Sequence, residues 1–322
     1  MRSNQQIELA RLLGFIVVVT VHGNALGMFS RGNEATGWVI DEAGRFAVPV
    51  FFLISGYFWK PAKTQLGPYL QKLFGKLILP FLFWAAVYIA LDATQTLYPV
   101  PAQHSWRTYL TTPWTGSVAY HLWFLPALLV GSAIGLGLIK MIGPQKALWA
   151  TLALYLLGAL LGTYLRPLGI IIPLGVYRNG ILFAPIFLVG GYILALRPEL
   201  PGAKTFLLIA ALGLLLQLLE GYFVFEAYPR GHDMSLGTLP LAFGIFGFFL
   251  QLNWTGGPLP GWGRDVFGAY LVHVLLLQTV VGHLAPSTSL PFTLGVIAII
   301  IVLSLVISRL AKLNPYSRVV MP

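Results

Sequence analysis

Three histidines, His22, His121 and His273, stand in or beside long apolar runs of a 322-residue chain. An ionisable group in hydrocarbon is costly, so each asks for a reason. His22 shares its segment with Glu8 and Arg11. On a helix the three steps from Glu8 to Arg11 make them neighbours. The eleven steps from Arg11 to His22 are three turns plus about 20°, which puts all three on one stripe with His22 about 16 Å beyond Arg11. A charge pair near one membrane surface is thereby joined to an imidazole near or beyond the membrane centre. Imidazole titrates near neutrality and can take a proton from a hydroxyl, so general-base catalysis is the chemistry on offer. The plainer reading is an interfacial ion pair for Glu8 and Arg11 and a hydrogen-bonded interhelical histidine at His22.

His273 closes Ala269-Tyr270-Leu271-Val272-His273. It lies about eight residues, or 12 Å, into its helix, which is again mid-membrane. His121 opens His121-Leu122-Trp123-Phe124-Leu125, at the start of another apolar run. An aromatic belt with a snorkelling histidine would explain it equally well. No His-x-x-His or Glu-x-x-His pair falls within the spans, and the chain has no cysteine. Disulfides, thiolate metal sites and thiol nucleophiles are excluded, and no metal is expected. Lys60, Lys63, Lys72 and Lys76 form a basic stretch in which Lys72 and Lys76, i and i+4, share a face. They read either as a positive-inside signal or as an anion funnel for a phosphorylated cytoplasmic cofactor.

These residues need a scaffold, and the composition says which kind. Hydrophobic residues make up 57% of the chain and charged residues 9%, against about 25% charged in an ordinary globular protein. So few charges cannot cover a soluble surface of this size. A soluble enzyme, a disordered chain and a basic nucleic-acid binder are excluded, and nucleic acid is not an expected partner. The reading is an all-α, polytopic membrane bundle of about ten helices, forming one transmembrane domain over 1–322 with no soluble domain. The expected spans are 7–29, 44–60, 70–92, 119–139, 147–165, 179–196, 204–220, 236–252, 265–284 and 291–311. The first carries Glu8, Arg11 and His22 and is not read as a cleaved signal peptide. With both termini in the cytoplasm, fourteen of the 20 Lys and Arg face inward, as the positive-inside rule requires. Three longer outer connections are expected near 30–43, 93–118 and 221–235.

Taken together the motifs resemble those of the acyltransferase-3 family of integral membrane acyltransferases. Glu8-Leu-Ala-Arg11 followed by His22 is similar to its first-helix pattern. Arg45-Phe-Ala-Val-Pro49-Val-Phe-Phe-Leu-Ile-Ser-Gly-Tyr57 is similar to its second-helix motif. Lys76-Leu-Ile-Leu-Pro80-Phe-Leu-Phe-Trp84 resembles the start of its third helix. His121–Leu125 and Phe267–His273 resemble its later motifs. The likeness runs from residue 8 to 273 and is nearest the stand-alone group that modifies envelope glycans and adhesins.

The resemblance implies transfer of an acyl group, usually acetyl, from cytoplasmic acetyl-CoA or another acyl-CoA to a hydroxyl of an envelope carbohydrate or lipid-linked glycan. It implies catalytic roles for His22, as general base or as covalent carrier of the acyl group, and for Arg11. Glu8 and His273 join them as catalytic candidates. Lys72, Lys76, Arg11 and Arg264 are candidates for the acyl-CoA phosphates. Arg45, His121, Trp123 and Tyr270 are candidates for the acceptor or the developing oxyanion. Some branches of the family have an Arg pair before the third helix; here Lys72 and Lys76 stand near that place with a different spacing, and lysine lacks the bidentate fork of arginine. The expected location is the cytoplasmic membrane, among membrane lipids, with a homo-oligomer compatible with the reading. The rival from the residues alone is a secondary transporter or flippase, since helices rich in Gly and Pro with buried histidine suit that class too.

Overall fold

The computed structural model describes residues 4–59, 65–94, 119–224, 234–252, 261–284 and 287–322. Lys60, Lys63, the connections at 95–118 and 225–233, and residues 253–260 lie outside the described residues. The described chain is helical, with no strand among those residues. In order it forms α1 (Asn4–Ala25), α2 (Glu34–Gly44), α3 (Ala47–Tyr57), α4 (Leu66–Ala93), α5 (Phe124–Ala159), α6 (Leu174–Tyr177), α7 (Ala184–Leu196), α8 (Ala203–Phe223), α9 (Thr238–Gln251), α10 (Trp262–His283), α11 (Leu290–Ala311) and α12 (Ser317–Val320). A π-helical turn, Leu160–Tyr164, and a 3-10 turn, Arg166–Leu168, follow α5.

Among the described residues six stretches are long and apolar enough to cross a membrane: Gln5–Ala25, Leu66–Ala93, Phe124–Leu168, Ala203–Phe223, Trp262–His283 and Leu290–Ala311. The third merges two expected spans. Its continuity is interrupted at Gly143, whose φ of 79° and ψ of 162° leave helical space just before Pro144. Three other expected spans are shorter than read. α3, α7 and α9 have 11, 13 and 14 residues, below the roughly 20 of a straight crossing. The causes are local. At α7, the Asn179 carboxamide oxygen accepts the Ile181 and Leu182 amides at 2.8 and 3.0 Å and holds a turn. Pro198 then forces Arg197 into extended backbone. The region 30–43, read as an outer loop, instead contains α2. There the Asn24 side chain donates to the Gly37 carbonyl at 2.8 Å and fixes the chain onto α1.

The chain divides into two compact units. The first comprises residues 1–10, 45–75 and 124–258. Without a hydrophobic drive between helices in lipid, close backbone approach does the work. α3 and α7 achieve it reciprocally: a Cβ on Gly56 would overlap the Leu188 carbonyl, and one on Gly191 would overlap the Leu53 carbonyl. Gly213 and Gly244 bring α8 against α9 in the same manner.

The second unit comprises residues 11–44, 76–123 and 259–322. It contains α1 from Arg11, α2, α4 from Lys76, the turn 119–123, and α10 to α12. Gly44 of α2 lies against Val17 and Val21 of α1. Ser308 donates to the Asp265 carbonyl at 2.7 Å and ties α11 to α10. Trp84 of α4 donates to the Val320 carbonyl at 3.0 Å and ties down the last turn of chain.

Candidate active site

The second unit gathers its histidines from three elements. His22 sits in the last turn of α1, and His273 lies halfway along α10. His121 lies in the turn that leads into α5. His22 Nδ1 and His273 Nε2 are 2.7 Å apart. The two rings are nearly coplanar and meet end to end, with centroids 5.0 Å apart and planes 11° apart, as a hydrogen bond in the ring plane requires. His273 Nδ1 is 2.6 Å from the Tyr270 carbonyl oxygen.

This chain of contacts fixes protons. A carbonyl can only accept, so His273 Nδ1 carries the hydrogen. In the neutral ring His273 Nε2 is then the acceptor, and His22 Nδ1–H must be the donor. The neutral His22 ring is left with an unprotonated Nε2, the form a general base requires. His273 thereby does for His22 what an orienting partner does in a catalytic triad: it selects the tautomer and holds the ring.

His121 is buried against this pair, with its ring centroid 5.4 Å from His273 and 6.4 Å from His22. Tyr88, Tyr120 and Tyr270 surround it at 5.0, 6.0 and 5.4 Å. It lies close to the Leu271 carbonyl, yet neither ring nitrogen finds a hydrogen-bond partner of normal geometry among the described residues. Its own carbonyl accepts the Tyr270 hydroxyl. Phe15 of α1 meets His273 edge-on at 5.9 Å, and Tyr120 meets His22 edge-on at 5.0 Å. A buried imidazole whose nitrogens have no partner of normal geometry among the described residues, beside a second imidazole held in its accepting tautomer, can bind a polar reactant and take a proton from it.

The structure therefore brings His22, His121, Tyr270 and His273 together. Trp123 is half-buried two residues beyond His121. Arg11 is half-buried on α1, three turns before His22. Lys76 and Arg264, both exposed, also belong to the second unit. Glu8 and Arg45, half-buried, and Lys72, exposed, belong to the first. Around Arg264 the charges are organised by Asp265, which pairs with Arg309 at 2.9 Å and Lys312 at 3.2 Å. Arg309 also lies over the Trp262 ring, 3.6 Å from its centroid. Among the described residues no group of three or more His, Asp or Glu side chains is arranged to hold a metal ion.

Sequence reading missed the tyrosines at 88 and 120. Tyr88 carries a phenol into an apolar stretch, Ala85–Ala90, and a buried phenol must find a partner. That signal was present. The pairing of His22 with His273, 251 residues apart, had no sequence signal at all.

A family profile described as "Acyltransferase domain" matches residues 4–309. Curated proteins that resemble the chain carry other names. A serine/alanine racemase of Enterococcus gallinarum is 29% identical over 84% of this chain and 40% of its own length. Two amino-acid racemases of Enterococcus faecalis are 30% and 24% identical, over 59% and 77% of this chain and 28% and 37% of their own lengths. The chain thus spans about two-fifths or less of the curated relatives it matches. No solved structure matches it significantly.

Proposed function

This chain belongs to the acyltransferase-3 family, and from that premise we propose that it moves an acetyl or other acyl group from acyl-CoA to a hydroxyl of an envelope or exported carbohydrate. The observation that carries the reading is the His22–His273 pair, which leaves an unprotonated nitrogen on His22. In the proposed step the acceptor hydroxyl oxygen attacks the thioester carbonyl. Its proton passes to His22 Nε2. The new C–O bond forms, the C–S bond breaks, and the CoA thiolate leaves and takes up a proton. His273 orients the base. His121 donates to the developing oxyanion, and Arg11 with Glu8 sets the charge below it. Lys72, Lys76 and Arg264 attract the CoA phosphates. Arg45, Trp123 and Tyr270 shape the acceptor side.

The proposed setting is one ten-span domain in the cytoplasmic membrane, with both termini in the cytoplasm. Donor and acceptor then meet from opposite sides at a mid-membrane base. A C-terminal reporter active only outside the membrane would overturn that topology.

The second reading, a secondary transporter or flippase for a small anionic or glycolipid substrate, rests on helices rich in Gly and Pro that carry buried histidine. The discriminating experiment uses the purified full chain in detergent with acetyl-CoA and a panel of sugar acceptors. Acceptor-dependent CoA release supports the transferase. Its absence, together with uptake of a labelled solute by reconstituted vesicles, supports the transporter.

A further inference from the structure

Tyr88 of α4 is fully buried. Its hydroxyl donates to the Leu271 carbonyl at 3.0 Å and accepts the Leu275 amide at 3.0 Å. Those are the two groups that a regular α-helix pairs with each other. The phenol oxygen therefore bridges one rung of the α10 ladder, and His273 lies inside that rung. Just before it, the Tyr270 carbonyl takes the His273 ring N–H. The Tyr88 ring also stands edge-on to His121 at 5.0 Å. One phenol thus touches the helical turn that presents His273 and the face of the third histidine.

We propose that Tyr88 is a positioning residue: by bridging Leu271 and Leu275 it sets the rotation of α10 that lets His273 accept from His22, and so fixes the His22 tautomer. The inference rests on the His22 base proposed above, but its primary readout does not need activity. With the hydroxyl gone, that rung loses its tie to α4, α10 is free to rotate, and the His273 ring turns with it. The His22 proton then distributes over both ring nitrogens.

The test is Tyr88→Phe in the full chain, followed by 15N NMR of histidine-labelled protein in detergent. Wild type should show His22 and His273 both as Nδ1–H tautomers. The variant should show His22 in a mixture of the two. In the transfer assay kcat should fall about tenfold with KM for acyl-CoA unchanged, the equivalent of about 1.4 kcal/mol in the barrier. A merely structural tyrosine would lower the melting temperature and leave tautomer and kcat alone, and that result overturns the proposal. A shifted tautomer in a protein without transferase activity supports the positioning role while overturning the acyl-transfer reading. Where Tyr88→Phe does not fold, Tyr88→Gln is measured, because its amide can still donate to Leu271 and accept from Leu275. Native tautomers there support the bridge, and lost ones overturn it.

Discussion

Each unit buries a polar cluster, and the two are built on opposite terms. In the first unit Glu220, Gln217, Ser235, Thr238 and Tyr155 are all buried. The Glu220 carboxylate accepts the Tyr164 hydroxyl and the amides of Leu236 and Gly237, the latter two at 3.2 and 3.0 Å. Gln217 accepts from the Ser235 and Thr238 hydroxyls, and Tyr155 donates to the Ser235 carbonyl at 2.7 Å. Those amides stand at the start of α9, where a helix has donors without internal partners. The cluster is a cap: its donors and acceptors satisfy one another. In the second unit the hydrogen bonds run in one direction, from His22 to His273 to the Tyr270 carbonyl, and end in an imidazole nitrogen without a proton. Among the described residues, neither ring nitrogen of His121 beside them has a hydrogen-bond partner of normal geometry. A saturated buried cluster stabilises a fold, whereas one left incomplete costs stability and is retained where chemistry uses it.

The sharpest way to break this comparison is His22→Ala. If the second cluster is chemical, turnover falls about 10²–10⁴-fold, the loss typical of a missing general base. The affinity for acetyl-CoA and the melting temperature should stay near those of the parent. Turnover, affinity and melting are measured on one preparation, and near-normal turnover refutes the assignment. His273→Ala should act on the same base indirectly. A displaced reacting group of about 1 Å costs on the order of 10²-fold, so kcat is expected to drop by about that factor. Unaltered kcat in a folded His273→Ala protein would reduce the pair to packing.

The mirror experiment is Glu220→Ala in the first unit. It strands the buried Gly237 amide, and an unsatisfied buried donor costs roughly 1–3 kcal/mol; the exposed Leu236 amide keeps the Tyr164 hydroxyl. Thermal melts should show a large downward shift, while the protein that remains folded turns over at the parental rate. Lost turnover with unchanged melting would make Glu220 part of the chemistry and erase the contrast between the clusters.

The fold was legible where hydrophobicity alone decides it. The span read at 265–284 is α10 at Trp262–His283, and that at 291–311 is α11 at Leu290–Ala311. It was not legible where polar composition hid a helix. Glu34–Gly44 mixes Glu34, Asp41 and Glu42 with Trp38, Val39 and Ile40, a composition that reads as loop, and it is its packing on α1 that makes it a helix. The short helices were overread because their ends are set by turns and prolines, to which a sliding apolar window is blind. At the site, His22 and His273 were each conspicuous as imidazoles in apolar helices, but which nitrogen faces which depends on helix rotation. The Glu220 cap went unread for a similar reason: Glu220 and Gln217 end a long apolar run, and their partners come after a connection of unfixed path.

The smallest expected effect concerns the exposed cations of α4. Lys72 and Lys76 lie one turn apart on that helix, and both are open to solvent. Charges in that position are screened beyond about 10 Å at 0.1 M salt, and individual exposed pairs contribute little. If they gather the phosphates of acyl-CoA, replacing both with Gln should weaken binding only about three- to tenfold at low salt and leave kcat at saturation unchanged. The informative quantity is the slope of log affinity against log salt. Removing two cations that neutralise phosphate should flatten it measurably, whereas two lysines that merely mark the membrane surface would leave it as it was. An unchanged slope in the folded double variant moves the nucleotide site away from α4. A flattened slope with unchanged turnover would separate the electrostatics of capture from the chemistry at His22, the same division between surroundings and reacting group that the two buried clusters express.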